Sequence, residues 1–318
     1  MTIVKKEIGK GGVTVYTVKK DLTDEETEKM NGKYCTNRTF KNIIDHDADV
    51  YTEDGTMLLR FRKNVLSLAN VAQAYENVIS FANNTTAARG ACSGSDVKDI
   101  SVNKPIKSNI YGYFDTWTIF QKHMFKTLGI KPPAKVRTTR FTADFPEKWE
   151  KILPLIRNID AQYKKLAPTH YRFQRKCADE TAFKIPGTAF TTFTTNVSTQ
   201  MGCHKDSGNL KESFGNLVVI EKGKYEGGYL GFPQYKVGVD VRTGDFLACD
   251  IHQLHGNTPI KLKSPDAERL SIVCYLRQGV WENSRGTTVE DVENLKKKTK
   301  DIVAKYNKKI HSAKSKKQ

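Results

Sequence analysis

The second half of the chain is a succession of short β-rich segments separated by turn signals such as 242–245. Short strands at this spacing, with helical patterns before them, are typical of closed or two-sheet β architectures. We therefore predict an α+β fold whose core is a double-stranded β-helix, a relative of the jelly roll, braced by helices. The predicted strands are residues 190–198, 216–221, 227–230, 235–241, 245–249 and 269–276.

Three stretches in the first half have apolar residues at helical spacing, and they predict helices over 66–82, 116–128 and 146–166. Pro154 lies inside the third stretch, so this helix is expected to kink or to split. We interpret the helices as scaffold packed against the sheet. Two other segments have weaker patterns. Residues 131–140 are predicted as a strand, and residues 171–176 as a strand or a short helix.

His204 and Asp206 are two positions apart in a β-rich context. On an extended strand, side chains at i and i+2 point to the same face, so the imidazole and the carboxylate can converge on one ion. One further histidine would complete a two-histidine, one-carboxylate set, which leaves open positions on a ferrous ion. His252 and His255 are the two candidates for that third ligand.

Arg269 opens the last predicted strand, two positions before Ser271. A guanidinium can hold a carboxylate through two parallel hydrogen bonds, so Arg269 is a candidate for binding a small carboxylic acid. A surface arginine on a strand is the alternative. Asn196, on the threonine-rich strand, either reaches a bound co-substrate or base or simply lines the barrel.

The ordered set His204-x-Asp206, His255-Gly256 and Arg269-x-Ser271 resembles the signature of the Fe(II)- and 2-oxoglutarate-dependent dioxygenases. Its neighbourhood, residues 203–209 followed by 217–220, 227–230 and Gly244-Asp245, resembles the TET and J-binding-protein branch. The resemblance covers roughly residues 185–280.

That resemblance implies Fe(II) held by His204, Asp206 and His255, with 2-oxoglutarate and O2 as co-substrates. His255 is favoured over His252 because the family's second histidine also precedes a glycine. The resemblance further implies that Arg269 binds 2-oxoglutarate, assisted by Ser271 and Asn196, and that the substrate is the methyl group of 5-methylcytosine or thymine in DNA.

Basic residues exceed acidic ones by 17 across the 318 residues, and the tail 296–318 alone holds ten lysines and one aspartate. Such a balance favours polyanionic partners, nucleic acid first. The candidate phosphate contacts are Arg89, Arg137, Arg140 and Arg172. For each of these, an ordinary surface or packing role is the alternative.

The six cysteines form no C-x-x-C pair, no apolar run is long enough to span a membrane, and the start carries no secretory pattern. We expect free thiols, a monomer without membrane association, and an intracellular location in nucleus or cytoplasm. The chain divides by pattern into an N-terminal elaboration of the catalytic domain (1–184), a core with the iron and 2-oxoglutarate site (185–295) and a lysine-rich tail (296–318).

Two other functions fit the same residues. A 2-oxoglutarate-dependent prolyl or lysyl hydroxylase would have the same iron ligands, and its basic surface would suit acidic protein substrates. A nucleic-acid binder on a decayed oxygenase fold would have lost ligands, whereas here the ligand set is complete. The cysteine-rich zinc region of animal TET enzymes and the separate DNA-reading domain of the J-binding proteins do not stand out in this sequence.

Overall fold

A mixed ten-stranded sheet is the framework of the α+β fold in the computed structural model, which describes residues 2–87, 89–93 and 105–315. The strands, in chain order, are β1 (Thr2–Ile8), β2 (Thr14–Lys19), β3 (Asn42–Ile44), β4 (Ala48–Thr52), β5 (Met57–Arg62), β6 (Ser108–Phe114), β7 (Arg137–Thr138), β8 (Thr192–Val197), β9 (Gly215–Lys222), β10 (Tyr225–Gly227), β11 (Leu230–Phe232), β12 (Val237–Val239), β13 (Phe246–Cys249), β14 (Gly256–Asn257), β15 (Ile260–Leu262) and β16 (Glu268–Tyr275).

The large sheet has the order β1-β2-β4-β5-β13-β9-β16-β8-β6-β7. Its four middle strands, β13, β9, β16 and β8, come from the second half of the chain, and strands from the first half flank them on both sides. At the centre, β16 runs antiparallel to both β8 and β9, and Ser271 is paired with Asn196 on one side and Val219 on the other. The predicted α+β class is confirmed.

A smaller sheet, in the order β14-β11-β12-β3, packs against one face of the large sheet. The two sheets share a buried apolar cluster that includes Ile44, Phe232 and Val237 of the small sheet together with Leu59 and Leu247 of the large one. A separate two-stranded ladder joins β10 and β15.

Helices cover the opposite face of the large sheet. The helices are α1 (Asp24–Glu28), α2 (Leu68–Ala82), α3 (Ile119–Leu128), α4 (Arg140–Asp144), α5 (Pro146–Leu166), α6 (Pro168–Asp179), α7 (Gln278–Ser284) and α8 (Val289–Ser315). Trp149 of α5 stacks on Phe193 of β8, with ring centroids 6.0 Å apart, inside the largest apolar cluster. Within the described residues, no helix is long and apolar enough to cross a bilayer.

The three predicted helices are present as α2, α3 and α5. Side-chain caps explain two of the starts, because Ser67 and Thr118 accept hydrogen bonds from backbone amides in the first turns of α2 and α3. Gly129 ends α3 in the left-handed conformation. Of the two outcomes expected for Pro154, the split is wrong, since α5 runs unbroken from Pro146 to Leu166, and the kink stays a prediction.

Of the two less clear segments, 171–176 takes the helical form that the sequence left open, and 131–140 forms a strand only in part. Only Arg137 and Thr138 of the segment 131–140 form a strand, and a short helix, α4, begins at Arg140. Residues 171–176 lie inside α6, with Tyr171 and Gln174 buried. These short elements are fixed by the partners they pack on, so local patterns identify them poorly.

The lysine-rich end of the chain is part of a long helix that starts before residue 296. Helix α8 begins at Val289 and buries Val292 and Leu295 in a cluster with Tyr113 of β6. Further along, Ile302 packs in a cluster with Trp117 and Met124. The division of the chain at residues 184 and 295 stays a prediction.

Candidate metal centre and adjoining cavity

Two backbone segments bring His204 and His255 together between the sheets. His204 and His255 form an isolated antiparallel bridge, with reciprocal N–H···O distances of 2.9 and 3.0 Å. The amide of Asp206 donates to the carbonyl of Ile251 at 3.0 Å, which extends the same pairing. As a result, one ligand atom from each of His204, Asp206 and His255 lies within 4.8 Å of the others.

The hydrogen bonds of the two imidazoles fix which nitrogen is available to a metal. Nδ1 of His204 lies 2.7 Å from the carbonyl oxygen of Gly202, and Nδ1 of His255 lies 3.0 Å from that of Gln253. A carbonyl oxygen only accepts, so each Nδ1 carries a proton and donates. In the neutral ring, Nε2 therefore keeps its lone pair, as metal-binding histidines require.

Two of the three side chains are in the form that a divalent cation binds. Burial alone would lower the pKa of His204, but Cys92 and Asp206 outweigh it and raise that pKa well above its usual range, so a metal would displace a proton from that ring. Burial, together with the nearby His204, lowers the pKa of His255 to about 4, so this ring is neutral at pH 7. Burial alone would raise the pKa of Asp206, but the hydrogen bond with His204 and the electrostatic interactions with the surrounding side chains outweigh it and lower that pKa. An ionised carboxylate and a neutral imidazole are the ligand forms that Fe(II) binds.

His252, the rival third ligand, points elsewhere. Its Nε2 lies 3.2 Å from the carbonyl oxygen of Leu210, and its backbone amide donates to Asp250. The structure therefore groups His255, and not His252, with His204 and Asp206. The role of these three residues as iron ligands stays a prediction.

Arg269 is buried, with 4% of its surface exposed, and the hydrogen bonds of the described residues leave its Nε without an acceptor. Gly228, at φ +71°, lies against the guanidinium, and a Cβ there would come within 2.9 Å of Nε. A buried guanidinium nitrogen without an acceptor is costly, so an anion that fills the space beside Arg269 would stabilise this arrangement.

Ser271 and Asn196 lie beside Arg269 on the same face of the sheet because they are paired across β16 and β8. The amide nitrogen of Asn196 is 3.4 Å from the hydroxyl of Ser271, and the amide oxygen of Asn196 is buried without a partner. The structure thus brings all three residues predicted for 2-oxoglutarate binding to one place.

One cavity of about 810 Å³ joins the three metal-ligand candidates to Arg269, Ser271 and Asn196. It lies between the two sheets. Strand β16 contributes alternate residues to it, whereas the residues between them face the helices. The cavity residues of this segment are Arg269, Ser271, Val273, Tyr275 and Arg277.

Arg277 is a cavity residue that the sequence reasoning missed. Its Nε donates to Asp115, and its guanidinium lies 4.0 Å from the ring centroid of Phe114. Gly208, at φ +88°, lets the backbone approach, since a Cβ would come within 3.0 Å of the guanidinium. The two-residue period that starts at Arg269 would have placed Arg277 on the cavity face.

The four candidate phosphate contacts lie in different places. Arg89 lines the cavity, and its Nε is buried without a partner. Arg140 and Arg172 are exposed on α4 and α6, away from the cavity residues, and Arg140 pairs with Asp144. The interpretation of Arg137 as a phosphate contact is wrong: it is only 9% exposed, donates to the carbonyl of Thr116 at 2.6 Å and lies over Phe114.

All six cysteines are free, as predicted. The sulfur atoms of Cys35 and Cys203 are nonetheless only 3.3 Å apart, in a buried cluster. Cys203 directly precedes the ligand candidate His204 in the sequence. Gly256 makes room for this pair, because a Cβ there would come within 3.0 Å of the sulfur of Cys203.

Residues 124–278 match the Tet_JBP family model, described as the oxygenase domain of the 2OGFeDO superfamily, and this stretch contains the ligand candidates and Arg269. Thymine dioxygenase JBP1 of Trypanosoma brucei brucei is 29% identical over 287 residues, which are 87% of this chain and 31% of the relative. The bifunctional helicase and thymine dioxygenase JBP2 of Leishmania braziliensis is 32% identical over 179 residues, 56% of this chain and 15% of the relative. The chain therefore spans about a third or less of these relatives.

A solved structure, NgTET1 in complex with 5mC DNA, has a similar fold, with a TM-score of 0.52 and 13% sequence identity. The match covers 87% of this chain and all of that one. The resemblance to the TET and J-binding-protein oxygenases that the sequence indicates is confirmed.

Proposed function

We propose that this chain, whose residues 124–278 match the Tet_JBP oxygenase domain of the 2OGFeDO superfamily, oxidises the methyl group of a DNA base. The observation that carries the proposal is one cavity that holds both a two-histidine, one-carboxylate cluster and a buried arginine whose Nε has no acceptor. The first feature suits the iron and the second suits the co-substrate.

The chain's own residues would hold Fe(II) through Nε2 of His204, Nε2 of His255 and the carboxylate of Asp206. Bound there with 2-oxoglutarate, the iron supplies the activation of O2. The backbone carbonyls of Gly202 and Gln253 keep each imidazole in the tautomer that binds metal. Three protein ligands leave positions open for the co-substrate and O2.

For 2-oxoglutarate, Arg269 would pair with the carboxylate at the end away from the iron. Ser271 and Asn196 would add hydrogen bonds beside it, because both present polar atoms to the same part of the cavity. The pairing would satisfy the buried Nε of Arg269.

For the base, we propose thymine before 5-methylcytosine. Both curated relatives are named thymine dioxygenases. In the cavity, Arg277 adds hydrogen-bond donors, and its guanidinium lies over the ring of Phe114. Thymine offers carbonyl acceptors where cytosine has an exocyclic amine, so a donor-rich wall suits thymine better. A base in a duplex must leave the stack to enter, at a cost of a few kcal/mol.

The finer fold and the domain division belong to the same proposal. Two sheets that face each other across the cavity support a double-stranded β-helix core within residues 185–295, with 1–184 as its elaboration and 296–318 as a lysine-rich tail. DNA as the partner, a monomeric state and an intracellular location complete it, and the six free thiols support that location.

The test is mass spectrometry of nucleosides after the protein is incubated with Fe(II), 2-oxoglutarate and duplex DNA that contains both thymine and 5-methylcytosine. We expect hydroxymethyluracil, and its absence with the His204→Ala variant. If hydroxymethylcytosine is found instead, the proposal that the chain oxidises a DNA base stands, and the preference for thymine is refuted. Succinate without an oxidised base would refute the DNA substrate and direct the search to peptides such as those of prolyl or lysyl hydroxylases.

A further inference from the structure

A strongly basic surface lies on α3, the segment after it and α8. We call residues 119–135 and 296–312 the α3–α8 surface; it holds eleven lysines and one acidic residue, Asp301. Ten of these lysines are exposed, and within the described residues only Lys296 forms an ion pair, with Glu293 at 2.6 Å. Lys309 donates to the carbonyl of Thr127 and ties the two helices together. The surface therefore carries an excess of positive charge that the protein itself leaves unneutralised.

The apolar side of α8 is already used for packing. Val292, Leu295 and Ile302 recur at helical spacing and are buried against the clusters of β6 and α3. The lysines, among them Lys297 and Lys305, lie on the opposite side. An amphipathic helix that binds membranes needs a broad exposed apolar face. The exposed large apolar side chains among the described residues of α8 are instead Val289 and Val303, which are more than three turns apart.

Exposed rings lie among the lysines. Phe120 is 58% exposed at the start of α3 and contacts Tyr306 of α8 edge to face, with centroids 5.7 Å apart. His123 contacts the same tyrosine at 6.4 Å. Flat rings combined with cations suit a polynucleotide, which offers bases and phosphates, whereas the cores of protein interfaces are poor in lysine.

Each helix of this surface follows a cavity residue closely in the sequence. Phe114 ends β6 five residues before α3 begins, so at most about 18 Å of extended chain separates the two. Arg277 directly precedes α7, which leads into α8, and Arg277 lies over Phe114. The basic part of α8, residues 296–312, is about 25 Å long, comparable to about seven base pairs of DNA.

We propose that the α3–α8 surface binds the phosphate backbone of DNA outside the cavity and holds the duplex while a base is presented to the metal centre. This inference rests on the proposed DNA substrate and adds the partner surface to it. Phosphate contacts of this kind orient the duplex without reading its sequence, so the surface contributes affinity that depends strongly on salt.

The test compares two variants with equal net charge. One replaces four exposed lysines of α8 (Lys297→Gln, Lys298→Gln, Lys305→Gln and Lys308→Gln), and the matched control replaces four exposed lysines elsewhere (Lys10→Gln, Lys19→Gln, Lys41→Gln and Lys224→Gln). Binding to an unmodified duplex of about 30 base pairs is measured across salt concentrations by fluorescence anisotropy. For the α8 variant, the slope of log K against log salt should become shallower by roughly two to four; for the control, it should change by less than about one.

Equal slopes for the two variants would overturn the inference, and so would stronger binding of the native protein to phosphatidylserine vesicles than to the duplex. The readout is independent of catalysis. If the native protein oxidises DNA and the α8 variant binds like the control, only the docking surface is refuted. If no base is oxidised but the α8 variant alone loses affinity, the docking surface stands and the proposed reaction is refuted.

Discussion

His252 and His255 are three residues apart, yet the structure gives them different partners. His255 lies with His204 and Asp206, whereas the ring of His252 lies against the carbonyl oxygen of Leu210. We expect His255→Ala to weaken Co(II) binding by more than about 100-fold, because it removes a metal ligand. His252→Ala, the matched control, should change it less than about threefold. Calorimetric titration of each purified variant with Co(II) measures this; an equal loss in both would contradict the assignment.

Arg269 is expected to bind 2-oxoglutarate through geometry as well as charge. Arg269→Lys keeps the charge but loses the two parallel hydrogen bonds of the guanidinium, so affinity should fall by roughly 10- to 100-fold, or about 1.5–3 kcal/mol. Titration of the Ni(II)-loaded protein with 2-oxoglutarate checks this, and Arg38→Lys, at an exposed position, serves as the control. Unchanged affinity for Arg269→Lys would place the co-substrate elsewhere.

The part of the site that could be predicted from the sequence was identified by the spacing and order of its residues along the chain. His204, Asp206, His255 and Arg269 were found because metal and carboxylate binding demand particular residue types at particular strand positions. Phe114 reaches the cavity through the pairing of β6 with β8, a long-range contact that the local sequence pattern does not specify. Arg137 was misread for a related reason: its burial depends on tertiary packing, which a basic stretch of sequence does not reveal.

Strand β6, which pairs with β8, comes so close to the residue before β8 that only glycine fits at that point. Gly112 has φ +85°, and a Cβ there would lie 2.4 Å from the carbonyl oxygen of Thr191. Gly129, at the end of α3, has a similar φ of +68° with open space around it. We expect Gly129→Ala to cost about 1–2 kcal/mol of unfolding free energy from backbone strain alone, and Gly112→Ala at least about 2 kcal/mol more.

Chemical denaturation of the two glycine variants provides the comparison, since the strained backbone is common to both and the close approach is not. Equal losses of stability would show that β6 can move away from Thr191 without cost.

Helices were predicted more accurately than short strands, and α5 shows why. Its buried stripe, Trp149, Ile152, Ile156, Ile159 and Tyr163, repeats over about four turns, so the pattern is strong even with Pro154 inside. By contrast, β7 has two residues and exists because Tyr113 and Phe114 are beside it to pair with. A two-residue strand has no period to detect, and its partner is more than twenty residues away.

At the scale of the whole molecule, the sheet joins the two halves of the chain. Strand β13 pairs with β5, and β8 pairs with β6, so the predicted core 185–295 is paired on both sides with strands from residues 1–184. A fragment of residues 185–318 should therefore unfold without a cooperative transition and bind no Co(II), whereas co-expression with residues 1–184 should restore both properties. Circular dichroism during thermal unfolding measures this. A sharp transition for the fragment alone would make the core an independent domain.

The same strand order determines how long β5 waits for its partner during synthesis on the ribosome. Strand β5 ends at Arg62, and its partner β13 begins only at Phe246, so at usual translation rates roughly ten to forty seconds pass before the partner emerges. During that interval, β5 presents an unpaired edge with three apolar side chains, Leu58, Leu59 and Phe61, that are buried in the finished protein. An edge of this kind is a template for aggregation. A nascent chain with this topology therefore depends on chaperones for longer than one whose neighbouring strands follow each other in sequence.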